Sequence, residues 1–95
     1  MEYTDIISIN TPVVVRSYTS GVLVGRIQAG EKGVVVLTDW RHLREWSNVG
    51  EQGSVYNLIN SKVVPVRSPL MAEKTIVQQA DVIVVSEEIY TRLAK

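Results

Sequence analysis

The stretch from residue 11 to residue 38, TPVVVRSYTSGVLVGRIQAGEKGVVVLT, decides the fold. Its three valine-rich runs are typical of β-strands, and we expect strands over residues 11–18, 22–28 and 34–38. Two short turn sequences separate the runs, TSG at 19–21 and AGEKG at 29–33. Because short turns between consecutive strands favour antiparallel pairing, the sequence predicts a three-stranded meander.

Three residues in this stretch have special backbone properties. Pro12 lacks an N–H group and belongs at the start or edge of a strand. Gly21 can adopt the positive φ that a tight turn requires. Gly25 interrupts the second strand, and we expect a bulge or a close approach of another chain segment at this position.

The hydrophobic period changes after the third strand. Large apolar side chains recur there at intervals of three: Trp40, Leu43 and Trp46. This spacing is typical of one helical face, and Thr38 or Asp39 would provide the N-cap. Arg41 and Arg44 would then share a neighbouring face. We therefore expect a first helix in TDWRHLREW, residues 38–46.

The rest of the sequence predicts two helices, one over 55–61 capped by Ser54 and a terminal one over 87–95 capped by Ser86. It also predicts extended pieces near 3–9 and 63–67, and a strand over 75–86 that is broken near Gln79–Ala80. Strands grouped in a block favour an α+β class. We expect a mainly antiparallel sheet, a three-stranded meander plus a later strand, with two or three short helices. The length of 95 residues indicates a single domain over residues 1–95.

Composition narrows the classes of partner. Ten basic and ten acidic residues give a net charge of zero, which disfavours binding to polymeric nucleic acid. The absence of cysteine excludes disulfides and thiolate zinc sites. The N-terminus lacks the pattern of a secretory signal. The longest apolar runs have four residues, as in VIVV at 82–85, far fewer than the roughly 20 residues that cross a bilayer. We expect a cytoplasmic protein that does not bind membranes.

Catalytic and metal-binding patterns are weak. His42 is the only histidine and is interpreted as a surface residue of the first helix, since a zinc site would need several carboxylates in addition. Glu87 and Glu88 fit the first turn of the terminal helix. The sequence contains no phosphate-binding loop, GxGxxG or GxSxG motif. We therefore expect no enzymatic activity, no metal and no cofactor.

Arginine and aromatic residues are instead concentrated in the first half of the chain. The arginine fork matches phosphate oxygens, and aromatic faces stack on nucleobases for about 1–3 kcal/mol per base. Turn amides and hydroxyls can form a small anion site. The candidate ligand-binding residues are Arg16, Tyr18, Thr19, Ser20, Gly21, Arg26, Arg41, Arg44 and Trp46.

Structural roles explain the same residues equally well. The two tryptophans could pack the first helix on the sheet. Tyr18 could fill a cross-strand position, and the helical arginines could simply be solvated. Composition alone does not choose between a nucleotide pocket and these roles.

A double motif adds a resemblance. RSYTSGVLVG at 16–25 fits the pattern R-x-Y-[ST]-x-G-V-x-x-G, and VVVLTDWRHLREW at 34–46 and SVYNLIN at 54–60 follow it. Over roughly residues 12–60 the chain resembles a family of small phage-encoded proteins. It is similar to the phage anti-CBASS sponges of the fourth type, which assemble as tetramers and bind cyclic dinucleotides such as 3′,3′-cGAMP without cleaving them.

The resemblance implies a phage immune-evasion protein that sequesters a cyclic dinucleotide in the host cell cytoplasm as a homo-oligomer, a dimer or tetramer. In such a site Tyr18 would stack on a base, Arg16 would lie near a phosphate, and Ser20 and the Gly21 amide would form hydrogen bonds. Arg41 and Arg44 would supply charge, and Trp46 a second stacking face. The alternative is a protein–protein inhibitor or regulator that acts through the Trp/Arg helix.

Overall fold

Strands dominate the fold, as the valine-rich runs predict. The computed structural model describes residues 8–17, 21–31, 34–45, 55–60, 62 and 64–95. Its elements are β1 (Pro12–Ser17), β2 (Gly21–Glu31), β3 (Val34–Glu45), α1 (Val55–Ile59), β4 (Val66–Arg67), β5 (Thr75–Val77), β6 (Ala80–Val84) and α2 (Glu87–Ala94). Helical structure is less extensive than predicted. In this part of the chain α1 is a single five-residue turn, and α2, with eight residues, is the one longer helix.

The predicted antiparallel sheet is confirmed. β1 pairs with β2 and β2 with β3, which forms the meander, and the later strand β6 pairs antiparallel with the other side of β1. β4 and β5 pair with successive parts of the outer edge of β3. Gly21 begins β2 with a φ of 78°, the left-handed conformation expected of a turn glycine.

The sheet closes on itself. Val77 of β5 pairs with Val35 of β3, which pairs in turn with Gly30 of β2. Ala80 of β6 pairs with Ser17 of β1, which pairs in turn with Gly21 of β2. Gly21 and Gly30 are about 30 Å apart along an extended strand. The three Cα steps from Val77 to Ala80 span at most about 11 Å. A flat sheet cannot satisfy both pairings, so β1, β2, β3, β5 and β6 form a barrel.

Two apolar clusters fill the inside and one outer face of this barrel. The inner cluster contains Val13, Val15, Leu23, Ile27, Val35, Leu37, Val77 and Ala80. The outer cluster joins the sheet to both helices and contains Val14, Val24, Leu43, Val55, Leu58, Ile59, Val85, Tyr90, Leu93 and Ala94. β1 contributes to both clusters because successive side chains of a strand point to opposite faces. Burial on both faces explains why residues 13–15 of β1 are three consecutive valines.

The predicted helix over residues 38–46 is wrong, since β3 continues as a strand to Glu45. The pairing register contains a β-bulge at this point. On one side of the bulge Arg26 pairs with Thr38, and on the other Val24 pairs with Arg41. Gly25 therefore faces two residues, Asp39 and Trp40, and Asp39 adopts a φ of 49°. The bulge predicted at Gly25 is confirmed.

The bulge also explains the misleading helical spacing. One extra residue shifts the alternation of the strand, so that Leu37 and Trp40 both contact the inner cluster although they are three positions apart. Leu43 lies in the outer cluster, on the opposite face from Trp40. The prediction that Trp40 and Leu43 share a face is therefore wrong. Trp46 lies outside the described residues.

A side chain at Gly25 has no room. An added Cβ would lie 2.9 Å from the Cβ of Trp40 and 3.3 Å from the carbonyl oxygen of Thr38. We expect Gly25→Ala to lower the free energy of unfolding by about 1–3 kcal/mol, the usual cost of overpacking. Urea denaturation measures the change, with Ala29→Val at an exposed position of the same strand as the control. Wild-type stability in Gly25→Ala would contradict the close approach.

The last elements agree with the sequence. The predicted break before β6 is confirmed at Gln79, which has a φ of 53°. Ser86 caps α2, since its hydroxyl accepts a hydrogen bond of 3.1 Å from the N–H of Ile89. The predictions for residues 1–7, Ser54 and the loop over 47–53 lie outside the described residues. No helix within the described ranges is long and apolar enough to span a bilayer.

Candidate functional site

A cleft of about 370 Å³ lies where β1 ends and β6 begins. In the described part of the chain it is lined by Arg16, Ser17, Gln79 and Asp81. Strand pairing assembles it, because Arg16 is the register partner of Asp81 and Ser17 is the partner of Ala80. The closure of the barrel thus brings together residues more than sixty positions apart in the sequence.

Arg16 and Asp81 form the charged part of the cleft. The Nη2 atom of Arg16 lies 3.4 Å from Oδ2 of Asp81, and the two side chains are 48% and 73% exposed. Exposed ion pairs of this kind contribute little to stability, because water solvates both partners. Little stability is therefore lost if a ligand displaces this contact.

Ser17 and Gln79 form the structural part of the cleft. The buried Ser17 hydroxyl donates a 2.5 Å hydrogen bond to the carbonyl of Gln78, which fixes the turn between β5 and β6. Gln79 adopts a left-handed conformation that non-glycine residues rarely use, with its side chain exposed. Such backbone strain is concentrated at functional sites in proteins.

Part of the predicted ligand loop lies at the same end of the barrel. Gly21 pairs with Ser17, which places it one ladder position from Arg16. Tyr18, Thr19 and Ser20 connect these strands and lie outside the described residues. Of the predicted ligand residues, Arg16 lines the cleft and Gly21 lies one ladder position away from it, outside the described lining.

His42 lies close to Gly21 instead of on a helical surface. A Cβ added at Gly21 would come within 2.9 Å of the Nε2 atom of His42. The histidine is half-buried on β3, so the interpretation as an exposed helical residue is wrong. Among the described residues, no three histidine, aspartate or glutamate side chains group closely enough to hold a metal ion.

Arg26 connects the barrel to α2. Its two terminal nitrogens donate to the Glu87 carboxylate at 2.7 and 2.9 Å, and one also donates to the carbonyl of Asn10 at 2.9 Å. The guanidinium lies 4.4 Å from the ring centroid of Tyr90. The hydrogen bond from Arg26 lowers the pKa of the exposed Glu87 carboxyl. Four ladder positions, about 13 Å, separate Arg26 from Arg16.

Arg41 and Arg67 donate hydrogen bonds to the last carbonyls of α2. Arg41 donates from Nε to the carbonyl of Ala94 and from Nη1 to that of Ser68 at 2.8 Å. Arg67 donates to the carbonyl of Leu93 at 2.7 Å. The last carbonyls of a helix lack helical partners and carry partial negative charge, which positive donors satisfy. Burial, and then the neighbouring Arg41, lower the pKa of Arg67.

Arg44 does not accompany Arg41. It is exposed on β3, whereas Arg41 is half-buried against the end of α2. The helix on which the two arginines were predicted to share a face is not formed, since both lie on strand β3. Trp46, the second predicted stacking residue, lies outside the described residues.

Sequence reasoning missed Ser17, Gln79 and Asp81 as cleft residues. The break that it predicted near Gln79–Ala80 marks the correct turn. The register of β6 against β1, which creates the cleft, had no signal in the sequence.

Comparison with known protein families gives one match. The model of a domain of unknown function, DUF6948, matches residues 10–91. The chain belongs to the DUF6948 family. No curated protein and no solved structure matches the chain. The DUF6948 match includes the cleft residues Arg16, Ser17, Gln79 and Asp81, and the family description assigns no activity to them.

Proposed function

We propose that the protein binds a cyclic dinucleotide, such as 3′,3′-cGAMP, in the cleft between β1 and β6 and sequesters it intact. The observation that carries the proposal is the cleft itself, with the Arg16 guanidinium at its wall. Its volume of about 370 Å³ lies within the range of small-molecule sites, roughly 300–1,000 Å³. Arginine matches the phosphates of such a ligand, and the other polar groups match its base edges.

The biological role follows from the resemblance to the phage anti-CBASS sponges. A protein of this kind acts in the cytoplasm of the infected host, where it removes the signal that activates the defence. A cyclic dinucleotide contains two phosphates and two bases. A homo-oligomer with a two-fold axis, a dimer or tetramer, presents the same cleft twice and suits this repetition.

The alternative, a protein–protein inhibitor or regulator, was predicted to act through a helix that the structure does not show. It required a Trp/Arg helix over residues 38–46, and residues 38–45 belong to strand β3. Trp40 is half-buried, and its Nε1 donates a 3.0 Å hydrogen bond to the carbonyl of Glu73. Interface hot spots depend on large side chains that a partner can bury, and Trp40 is already packed against the inner cluster.

Thermal-shift measurements with a panel of cyclic di- and trinucleotides test the proposal. A ligand present at 100 times its dissociation constant stabilises the folded protein by about 2.7 kcal/mol. We expect a clear shift with 3′,3′-cGAMP or a closely related cyclic dinucleotide, and recovery of the intact ligand by chromatography. A flat response over the whole panel would contradict sequestration, and ligand turnover would indicate an enzyme.

Arg16→Ala tests the location of the site. A lost hydrogen bond to a charged group costs about 1.5–3 kcal/mol, so we expect the dissociation constant for 3′,3′-cGAMP to rise about 10- to 150-fold. Isothermal titration calorimetry measures this change. Lys74→Ala is the matched control, because it removes one exposed positive charge outside the cleft. Equal affinities for wild type and Arg16→Ala would place the ligand elsewhere.

A further inference from the structure

Asp81 is the feature of the cleft that phosphate binding does not explain. Its Oδ2 atom lies 3.4 Å from the Nη2 atom of Arg16, and its side chain is 73% exposed. A carboxylate repels a phosphate placed beside it, since the two charges have the same sign. An arginine with an adjacent carboxylate therefore suits a ligand group that has donors and acceptors side by side.

Guanine has this arrangement along one edge. Its N1–H and 2-amino groups are neighbouring donors, and O6 beside them is an acceptor. A carboxylate can accept from both donors, while an arginine donates to O6. Adenine presents the unprotonated N1 atom at the equivalent position, and its lone pair repels a carboxylate. The pair formed by Asp81 and Arg16 thus favours guanine over adenine.

We infer that Asp81 is a specificity-determining residue that selects guanine in the bound cyclic dinucleotide. This inference rests on the proposed function and names the ligand class of the same site. The carboxylate accepts from the N1–H and 2-amino groups of one guanine, and Arg16 donates to its O6. The positive charge of Arg16 still attracts the phosphates of the ligand.

The test compares four ligands by calorimetry: cyclic di-GMP, 3′,3′-cGAMP, cyclic di-AMP and the inosine analogue of 3′,3′-cGAMP, which lacks the 2-amino group. We expect wild-type protein to bind the two guanine ligands about tenfold or more tightly than cyclic di-AMP. The inosine analogue should bind more weakly than 3′,3′-cGAMP. This last comparison leaves the protein unchanged, so it does not depend on the folding of any variant.

Asp81→Asn then tests the residue. Removal of the negative charge relieves its repulsion with the phosphates of all four ligands, so the readout is the ratio between the affinities for guanine and adenine ligands. We expect this ratio to fall towards one. Glu73→Gln removes an exposed carboxylate outside the cleft and should keep the wild-type ratio.

Three results are decisive against the inference. Equal wild-type affinities for cyclic di-GMP and cyclic di-AMP, or an unchanged ratio in Asp81→Asn, would overturn guanine selection and leave sequestration standing. Failure of the wild-type protein to bind any of the four ligands would overturn the proposed function, and the inference with it.

Discussion

Tyr90→Ala is expected to lower the free energy of unfolding by about 3–5 kcal/mol, the usual cost of truncating a buried aromatic side chain. Tyr90 is 1% exposed and lies in the outer cluster that joins α2 to the barrel. Domains of this size are stable by only about 5–15 kcal/mol. The substitution therefore removes a large part of the total stability and is expected to loosen α2 from the sheet.

Tyr90→Phe separates packing from hydrogen bonding at this position. It keeps the ring over which the Arg26 guanidinium lies, and removes only the hydroxyl, which donates a 2.7 Å hydrogen bond to the carbonyl of Asp39. We expect a loss of about 1 kcal/mol. Burial raises the pKa of Tyr90 above its ordinary value, so the hydroxyl remains a donor throughout the neutral pH range.

Urea denaturation followed by tryptophan fluorescence compares the two variants with wild type. Equal losses in Tyr90→Ala and Tyr90→Phe would show that the ring contributes no packing energy. Wild-type stability in Tyr90→Phe would mean that water replaces the hydrogen bond to Asp39 without cost.

Features that depend on neighbouring residues could be predicted from the sequence. The meander follows from valine runs and glycine turns, and Gly25 marks the bulge because only glycine fits against Trp40. Ser86 marks the start of α2, since a serine hydroxyl can accept from the first free N–H groups of a helix. Each of these signals lies within a few residues of the structure that it predicts.

Features that depend on long-range pairing could not be predicted. The bulge at Asp39 gives Leu37 and Trp40 a spacing of three, and a sequence pattern cannot distinguish this spacing from a helical turn. The cleft exists because β6 pairs with β1, which brings Asp81 to Arg16. Nothing in the residues near Arg16 indicates that partner.

The arginines illustrate the same limit. Arginine beside aromatic residues indicates phosphate or base binding, but it also suits buried carbonyls and aromatic faces within the protein. Arg26 contacts the Glu87 carboxylate and the Tyr90 ring, and Arg41 contacts the end of α2. Which role an arginine has depends on the element packed against it, and α2 lies at the far end of the sequence.

Arg41→Ala is expected to lower the free energy of unfolding by about 2 kcal/mol. The substitution deprives the carbonyls of Ala94 and Ser68 of charged donors, each worth about 1.5–3 kcal/mol. Part of this loss of stability is offset. The positive charge of Arg41 lowers the pKa of Arg67, and the substitution removes the repulsion between the two guanidinium groups. We expect the C-terminal turn of α2 to exchange its amide hydrogens faster in Arg41→Ala than in wild type.

Arg44→Ala is the matched control, since it removes the same side chain from an exposed position three residues away on the same strand. We expect its stability to stay within about 0.5 kcal/mol of wild type, as for most surface substitutions. Equal stability of the two variants in urea would contradict the role of Arg41 at the end of α2. The Arg44→Ala protein also tests the prediction from the sequence that Arg44 supplies charge to the ligand site. If Arg44→Ala binds 3′,3′-cGAMP with wild-type affinity, Arg44 is not part of the proposed site, and Arg16 remains the first candidate for the charged contact. Weaker binding by Arg44→Ala would extend the proposed site from the cleft to β3.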